Sequence, residues 1–272
     1  MNNNSQDRPA TIVRPPAVAG YFYPRDPDEL SQMVGSYLSE ARPEGPPPKA
    51  LIAPHAGYIY SGVIAATAYA TLQPISKHIT RVILLGPAHR VYIQGLALSK
   101  ATHFASPLGQ IKVEQAAIKL LRQLPQVSFS DAAHEQEHSL EVHLPFLQLA
   151  LNDFLIVPLV VGEASPQEVA EVLELLWGDK ETLIIISSDL SHYHDYETAR
   201  KLDLATTRAI ENLQLEKIGS LQACGCRPMR GLLQVARNRN LQVRTLDVRN
   251  SGDTAGSRDR VVGYGAYSFL QN

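Results

Sequence analysis

The stretch LIIISSDLSHYHDYE, residues 183–197, indicates both the fold class and the position of a functional site. Residues 183–187 are apolar or small, as in a strand that is buried on both faces of a parallel sheet. The chain then changes to serine, aspartate and histidine, which form hydrogen bonds and bind metals. In open α/β sheets the ligand site lies beyond the carboxyl ends of the strands. We therefore predict a central strand that delivers Asp189 and His192 to a pocket.

Apolar segments of strand length alternate with amphipathic segments of helix length along most of the chain. The strand-like segments, such as ALIAP, RVILLG and FLIVPLVV, are continuously apolar. This pattern is typical of a mostly parallel sheet with helices on both faces. We therefore predict a three-layer α/β sandwich, with a hairpin interrupting the alternation within residues 96–114.

The size and composition are those of a globular protein. The 272 residues are 44% hydrophobic and 19% charged, which is enough to build a sizeable core. We predict a single domain over residues 1–272, in which the polar residues 1–14 are poorly ordered. A net charge of −2 argues against a nucleic-acid partner, because such proteins carry clustered lysine and arginine. A small molecule or a peptide is the expected ligand.

Two cysteines, Cys224 and Cys226, are too few for a disulfide framework, so we expect free buried thiols and a cytoplasmic protein. The start of the chain lacks the apolar segment of a signal peptide. No segment reaches the roughly 18 apolar residues that span a membrane, so a membrane partner is not expected.

Three histidines occupy equivalent positions, each shortly after a predicted strand. His55 follows ALIAP, His89 follows RVILLG, and His192 follows TLIIIS. Any one of them alone would more often be an ordinary hydrogen-bonded loop residue, but their shared placement predicts a common pocket. Imidazole is the commonest metal ligand and titrates near neutral pH, so the pocket would hold a divalent metal or transfer protons.

The segment HEQEHSLEVHLPFLQ, residues 134–148, supplies further histidines. Ser139 fits the N-cap of a helix whose apolar stripe includes His143. On that stripe His143 is either a structural core residue or a group that orients a ligand. His134 and His138 match the HExxH pattern formally, but they lie in a predicted loop, so we do not predict a zincin site. Asp189 either orients the His192 imidazole or caps a helix.

Several segments, in order, resemble the Memo family (mediator of cell motility), called AmmeMemoRadiSam system protein B in prokaryotes. They are PHAGYIYSG, GPAHR, SPLG, EHSLEVHLPFLQ, SSDLSHY, CGCRPM and NSGDTAGSRDRVVGYGAYSF. The resemblance runs from about Pro15 to Phe269. It implies a fold similar to that of class III extradiol dioxygenases, which are non-haem Fe(II) enzymes.

The resemblance also implies a set of metal ligands. By motif, His55 and His89 match the two metal-binding histidines of that fold, and His192 matches a pocket residue that is either a ligand or a proton acceptor. The last ligand, a carboxylate in ring-cleaving relatives and a cysteine in animal Memo proteins, falls near Thr254. The neighbouring Asp253 would have to replace it, which would complete a 2-His-1-carboxylate triad.

Three functions are consistent with these residues. The first is a dioxygenase-like, non-haem iron(II)-dependent oxidoreductase with His192, Asp189 and His143 as its catalytic residues. The second is a non-catalytic protein that uses the same pocket to bind a ligand or, as the resemblance to animal relatives implies, a phosphotyrosine peptide. The third is a zinc-dependent hydrolase, and copper is a further candidate ion.

The peptide-binding hypothesis requires further residues, and the family name implies partner proteins. A binder of phosphorylated peptides needs positive charge near the pocket, for which Arg90, Arg258 and Arg260 are the candidates. The prokaryotic family name also implies association with an AMMECR1-like protein and a radical SAM enzyme.

Overall fold

The computed structural model describes residues 11–42 and 44–271. Residues 1–10, most of the segment predicted to be poorly ordered, lie outside the described residues. The end of that segment differs from the prediction, because Val13–Arg14 forms a β-strand. The Arg14 side chain is buried and pairs with the buried carboxylate of Glu141, which holds this strand in place.

Strands and helices alternate through the described residues. The strands are β1 Val13–Arg14, β2 Ala50–Ala53, β3 Arg81–Pro87, β4 Leu96–Leu98, β5 His103–Ser106, β6 Gly109–Lys112, β7 Val127–Phe129, β8 Leu155–Val161, β9 Thr182–Ser187, β10 His192–His194, β11 Gln242–Asn250 and β12 Val261–Leu270. The helices are α1 Pro27–Glu40, α2 Tyr58–Ala70, α3 Gln115–Leu121, α4 Asp131–Glu135, α5 Leu144–Ala150, α6 Pro166–Leu176, α7 Tyr196–Glu211 and α8 Cys226–Asn238.

The large sheet is parallel at its centre and antiparallel beside it. Strands β2, β9, β3 and β8 are neighbours in that order, and all of their pairings are parallel. Strand β12 pairs antiparallel with β2 on one side, and β4 pairs antiparallel with β8 on the other. Every residue of β2 and β9 is buried, which is why their sequences are continuously apolar. The predicted α/β fold is confirmed.

A smaller sheet contains the predicted hairpin. Strands β5 and β6 pair antiparallel, and β1 pairs parallel with β5. Gly109, the first residue of β6, has a φ of 125°, a backbone conformation that favours glycine. The sequence prediction of a hairpin within residues 96–114 is therefore confirmed.

Helices cover the large sheet on both sides. Helix α6 packs against α8, α1 packs against α2, and α7 packs against β11 and β12. The start of α6 is fixed by a capping box between Ser165 and Glu168, with Pro166 in the first turn. Buried apolar residues from both sheets belong to one contiguous cluster. No helix of the described residues is long and apolar enough to cross a bilayer.

The order of the central strands determines where the site forms. Strand β9 lies between β2 and β3 and is parallel to both. The carboxyl ends of the three strands, at Ala53, Ser187 and Pro87, therefore lie at one edge of the sheet. The residues that follow these strands meet there, as the strand-end rule for α/β sheets requires.

Candidate metal centre

Three histidines form a compact cluster at this edge of the sheet. His55, His89 and His138 each offer a nitrogen atom, and these three atoms lie within 4.8 Å of one another. The ring centroids are 5.2 Å apart for His55 and His89, 5.4 Å for His55 and His138, and 4.8 Å for His89 and His138. We call these residues the three-histidine cluster. Its spacing suits a metal ion that draws the three nitrogens inward.

The orientation of His55 is fixed from behind by two serines. Its Nδ1 lies 2.5 Å from Ser187 Oγ, and that hydroxyl donates to the carbonyl oxygen of Ser139 at 2.6 Å. Because the Ser187 proton is used in this way, its oxygen accepts from His55, so the ring hydrogen is on Nδ1. The lone pair of Nε2 is left facing the cluster, as in metal-binding histidines.

The buried carboxylate of Glu137 holds His89 and lies beside His138. It accepts hydrogen bonds from the His89 backbone at 2.6 Å, from His89 Nδ1 at 2.9 Å and from the Ser139 backbone at 2.9 Å. The same carboxylate is 3.4 Å from His138 Nδ1. Burial raises the pKa of Glu137, but the hydrogen bonds from His89 outweigh it and lower the pKa to about 2. The group is therefore an anion at neutral pH.

The electrostatics of the cluster favour neutral imidazoles. Burial lowers the pKa of His55 well below its ordinary value and that of His138 to about 4. Neutral imidazole nitrogen is the form that binds metals. Three imidazole rings, of which His55 and His89 are hydrogen-bonded from behind through Nδ1, are a donor set that fits a divalent transition metal.

The cluster opens into a cleft of about 870 Å³, within the size range of small-molecule sites. His192 lines this cleft without belonging to the three-histidine cluster. Burial lowers the pKa of His192, so its ring is neutral at pH 7. Arg90 and Arg260 line the same cleft, whereas Arg258 does not.

Asp189 lies at the base of the cleft, but it contacts a different histidine from the one predicted. The His55 backbone N–H donates to Asp189 Oδ1 at 2.8 Å, and Oδ2 is 3.9 Å from His55 Nε2. Burial raises the pKa of Asp189 to about 7. The carboxyl group therefore positions the His55 segment rather than the His192 imidazole.

The predicted third ligand, Asp253, is not brought to the cluster. Its Oδ1 accepts from the Tyr196 hydroxyl at 2.5 Å, and its Oδ2 accepts from the Asn250 backbone at 3.0 Å. These bonds cap a short 3-10 turn, Ser251–Asp253, in which Ser251 lines the cleft and Asp253 does not. In the structure Asp253 therefore does not join His55 and His89, and the third member of the cluster is His138.

The other histidines of residues 134–148 have separate surroundings. His143 is buried, its Nδ1 is 2.7 Å from the Tyr69 hydroxyl, and it does not line the cleft. It therefore packs in the core and does not line the cleft, where the predicted catalytic role would place it. His134 donates from Nε2 to the Ala97 carbonyl at 2.9 Å. Since His134 is engaged elsewhere, the HExxH residues do not share a metal.

The predicted N-cap at Ser139 is also different in the structure. Helix α5 begins only at Leu144, after a 3-10 turn, Glu141–His143. Ser139 Oγ instead donates to the carbonyl oxygen of Pro87 at 2.9 Å. This bond ties the segment that carries His138 to the end of β3. His138 was not predicted as a ligand, because it follows helix α4 rather than a strand.

Cys224 is a second cleft residue that was not predicted as part of the site. Both cysteines are free, and Cys224 Sγ lies 3.3 Å from His55 Nε2. Burial raises the pKa of the Cys224 thiol. The protonated thiol has two acceptors within reach, His55 Nε2 at 3.3 Å and the Asp189 carbonyl oxygen at 3.7 Å.

Comparison with known proteins agrees with the sequence resemblance. The family model described as "Memo-like protein" matches residues 14–268. A "MEMO1 family protein" of Aquifex aeolicus is 35% identical over 273 residues, covering 95% of this chain and 99% of the relative. One of Thermotoga neapolitana is 34% identical, with coverages of 93% and 98%.

A solved structure of an uncharacterized protein from Escherichia coli K12 overlays with a TM-score of 0.45. It is 14% identical and covers 79% of this chain and 98% of its own. That distant likeness says nothing about chemistry. The match of the family model over residues 14–268, together with relatives above 30% identity along nearly the whole chain, shows that the chain belongs to the Memo-like protein family.

Proposed function

We propose that this protein is a metal-dependent enzyme that acts on a small organic molecule, with His55, His89 and His138 as metal ligands. The observation that carries the proposal is the meeting of three imidazole nitrogens within 4.8 Å at the base of an open cleft. Among metal-dependent reactions we favour an oxidoreductase with iron(II), the ion that the family resemblance implies.

The protein groups around the cluster have distinct tasks in this proposal. Glu137 and Ser187 hold the rings from behind, so that their free nitrogens point inward. His192 lines the cleft as a neutral base that accepts a proton from a bound substrate. When bound, iron(II) would supply redox chemistry and a Lewis acid.

Zinc is the main alternative ion, and a specific feature favours it. Three histidines without a carboxylate are also the donor set of some catalytic zinc sites. A zinc ion there would make the protein a hydrolase, with His192 again placed to move a proton. Copper is accommodated by imidazole ligands as well. These ions differ in whether they withstand exposure to oxygen, so an experiment can distinguish them.

A non-catalytic role is the second candidate, and Arg90 and Arg260 support it. Both line the cleft, where two guanidinium groups favour an anionic ligand such as a phosphorylated tyrosine side chain. Association with an AMMECR1-like protein and a radical SAM enzyme stays a prediction from the family resemblance, as does a cytoplasmic location.

The deciding experiment is the metal content of protein produced and kept without oxygen. We expect about one iron ion per chain in the wild type and none in His55→Ala or His89→Ala. His78→Ala is the matched control, because His78 is exposed and remote from the cleft. Stoichiometric zinc that survives exposure to air would favour the hydrolase. The absence of any tightly bound metal would refute the enzyme proposal and favour the anion-binding role.

A further inference from the structure

Tyr193 stands exposed in the cleft in a backbone conformation that tyrosine rarely adopts. Its φ is 62°, in the left-handed region, and 65% of the residue is accessible to solvent. It lines the cleft together with its neighbours His192 and His194. We propose that Tyr193 is a specificity-determining residue, on whose ring a flat, conjugated part of the substrate stacks. The inference rests on the proposed function and names the class of molecule that the cleft accepts.

The conformation of Tyr193 arises from a β-bulge in strand β10. His192 pairs with Val262 and His194 pairs with Val261, so three residues of β10 lie opposite two of β12. Tyr193 is the extra residue of this bulge. Consecutive side chains of a regular strand point to opposite faces, whereas here all three residues of β10 line one cleft. The bulge therefore turns toward the cleft a ring that a regular strand would turn away.

Hydrogen bonds hold the chain on both sides of the bulge. The Gly263 N–H donates to the Ser191 carbonyl at 2.8 Å, and the Ser191 N–H donates to the buried Asp203 carboxylate at 3.0 Å. A Cβ atom at Gly263 would lie 2.0 Å from Asp203 Oδ2, so only glycine lets this carboxylate approach. On the other side the Tyr196 N–H donates to the Arg258 carbonyl at 3.1 Å. The surrounding structure thus fixes the strained residue, as it does at many functional sites.

The other left-handed residues have an ordinary explanation that Tyr193 lacks. Among the residues that the structure describes, Leu213 and Asn240 are the further non-glycine residues with positive φ. They follow the carboxyl ends of α7 and α8, where a left-handed residue commonly ends a helix. Tyr193 follows no helix, and its ring is too exposed to be a packing residue. Its conformation therefore points to a role in the cleft.

The groups around the ring determine what it would bind. The Arg260 guanidinium lies 5.2 Å from the centroid of the Tyr193 ring, and the His192 ring lies 5.7 Å from it at an angle of 68°. Aromatic rings attract one another at such centroid distances, and a guanidinium group favours an anion. A flat substrate stacked on Tyr193 would therefore lie beside the proposed base His192. A negatively charged group on that substrate would be attracted to Arg260.

The test is isothermal titration of the metal-free full chain with benzoate and with cyclohexanecarboxylate. The two carboxylates have nearly the same size and charge, but only benzoate is flat. We expect the wild type to bind benzoate more tightly. Tyr193→Gly should weaken benzoate binding by about 3- to 10-fold, the effect of losing one aromatic pair, and leave cyclohexanecarboxylate within about twofold. Tyr193→Phe keeps the ring and should bind both within about twofold of the wild type.

Two controls separate stacking from general effects of substitution. Tyr92→Gly removes an exposed tyrosine that does not line the cleft, so it should change neither affinity. Arg260→Gln should weaken both carboxylates alike, because it removes charge and leaves the ring. Glycine adopts the left-handed conformation without strain, so Tyr193→Gly should resist urea as well as the wild type does.

Several results would overturn the inference. They are benzoate bound no more tightly than cyclohexanecarboxylate by the wild type, undiminished benzoate binding in Tyr193→Gly, and equal weakening of both carboxylates together with lost stability. If the glycine variant does not fold, proton NMR of the wild type decides, because stacked benzoate shifts the Tyr193 ring resonances more than cyclohexanecarboxylate does. Since these titrations use metal-free protein, their failure is distinguishable from failure of the metal site, which the metal content of the wild type decides.

Discussion

The Glu137 carboxylate holds His89 by two hydrogen bonds, one from its backbone N–H at 2.6 Å and one from its ring Nδ1 at 2.9 Å. The same carboxylate lies 3.4 Å from His138 Nδ1. A single buried anion thus positions His89 and lies beside His138, whose Nδ1 has no hydrogen-bond partner among the described residues. It also fixes the hydrogen of His89 on Nδ1, which leaves Nε2 for a metal.

We expect Glu137→Gln to weaken metal binding by about 10- to 100-fold, the usual effect of losing an outer-shell carboxylate. The amide has nearly the same shape, but it carries no charge and accepts through only one atom. Glu135→Gln is the control, because Glu135 is two residues away and exposed. Isothermal titration with zinc or cobalt measures both affinities. An unchanged affinity in Glu137→Gln would show that the cluster does not depend on this carboxylate.

A second prediction concerns the buried ion pair between Arg14 and Glu141. Arg14 also donates to the Glu137 carbonyl at 2.6 Å, and Glu141 accepts from the backbone of Ala17 and Val18. We expect Arg14→Met to lower the free energy of unfolding by about 3–5 kcal/mol, because it leaves a buried carboxylate without its partner.

Urea unfolding of the metal-free protein tests this expectation. The control is Arg237→Met, which breaks the exposed pair of Arg237 and Glu216 and should lower the free energy of unfolding far less. Equal effects of the two substitutions would mean that the buried pair does not anchor the amino-terminal strand.

The fold and part of the site follow from local patterns in the sequence. The apolar run of β9 specifies a buried strand because both faces of the sheet are covered. His55 and His89 could be located because the residues after parallel strands share one edge of the sheet. Neither step requires knowledge of long-range contacts.

His138 and Cys224 could not be located in this way. His138 comes to the cluster through bonds between distant segments, such as that of Ser139 with Pro87. Cys224 comes there because Gly225 packs on β9, 37 residues away along the chain from Ser188. By contrast, the role of Asp253 was readable locally, because its spacing from Asn250 is that of a capping box.

The third prediction separates the two candidate third ligands. We expect Asp253→Ala to leave zinc affinity within about twofold of the wild type, because its carboxylate is bonded to Tyr196 and Asn250 outside the cleft. The substitution should instead cost about 1 kcal/mol of stability through the lost cap. His138→Ala should abolish tight binding. Loss of metal in Asp253→Ala, with binding retained in His138→Ala, would contradict this prediction and support the 2-His-1-carboxylate hypothesis.

The last prediction concerns acid stability, which buried histidines outside the cluster should limit. Burial lowers the pKa of His134 to about 4 and that of His143 to about 3. His134 Nδ1 and His143 Nε2 are buried without a hydrogen-bond partner, so a proton added there would create an unsolvated charge. In the unfolded chain both rings titrate near pH 6.5.

The sign follows from proton uptake. Above pH 6.5 both histidines are neutral in the folded and in the unfolded chain, so the protein keeps its full stability. Below pH 6.5 the unfolded chain binds protons that the folded chain does not bind. Stability should therefore fall as the pH drops from about 6.5 toward 4, by roughly 3 kcal/mol from His134 alone. Urea unfolding of the metal-free protein at several pH values measures this slope. His134→Gln should flatten it, whereas the exposed control His78→Gln should not, and equal slopes in all three proteins would contradict the prediction.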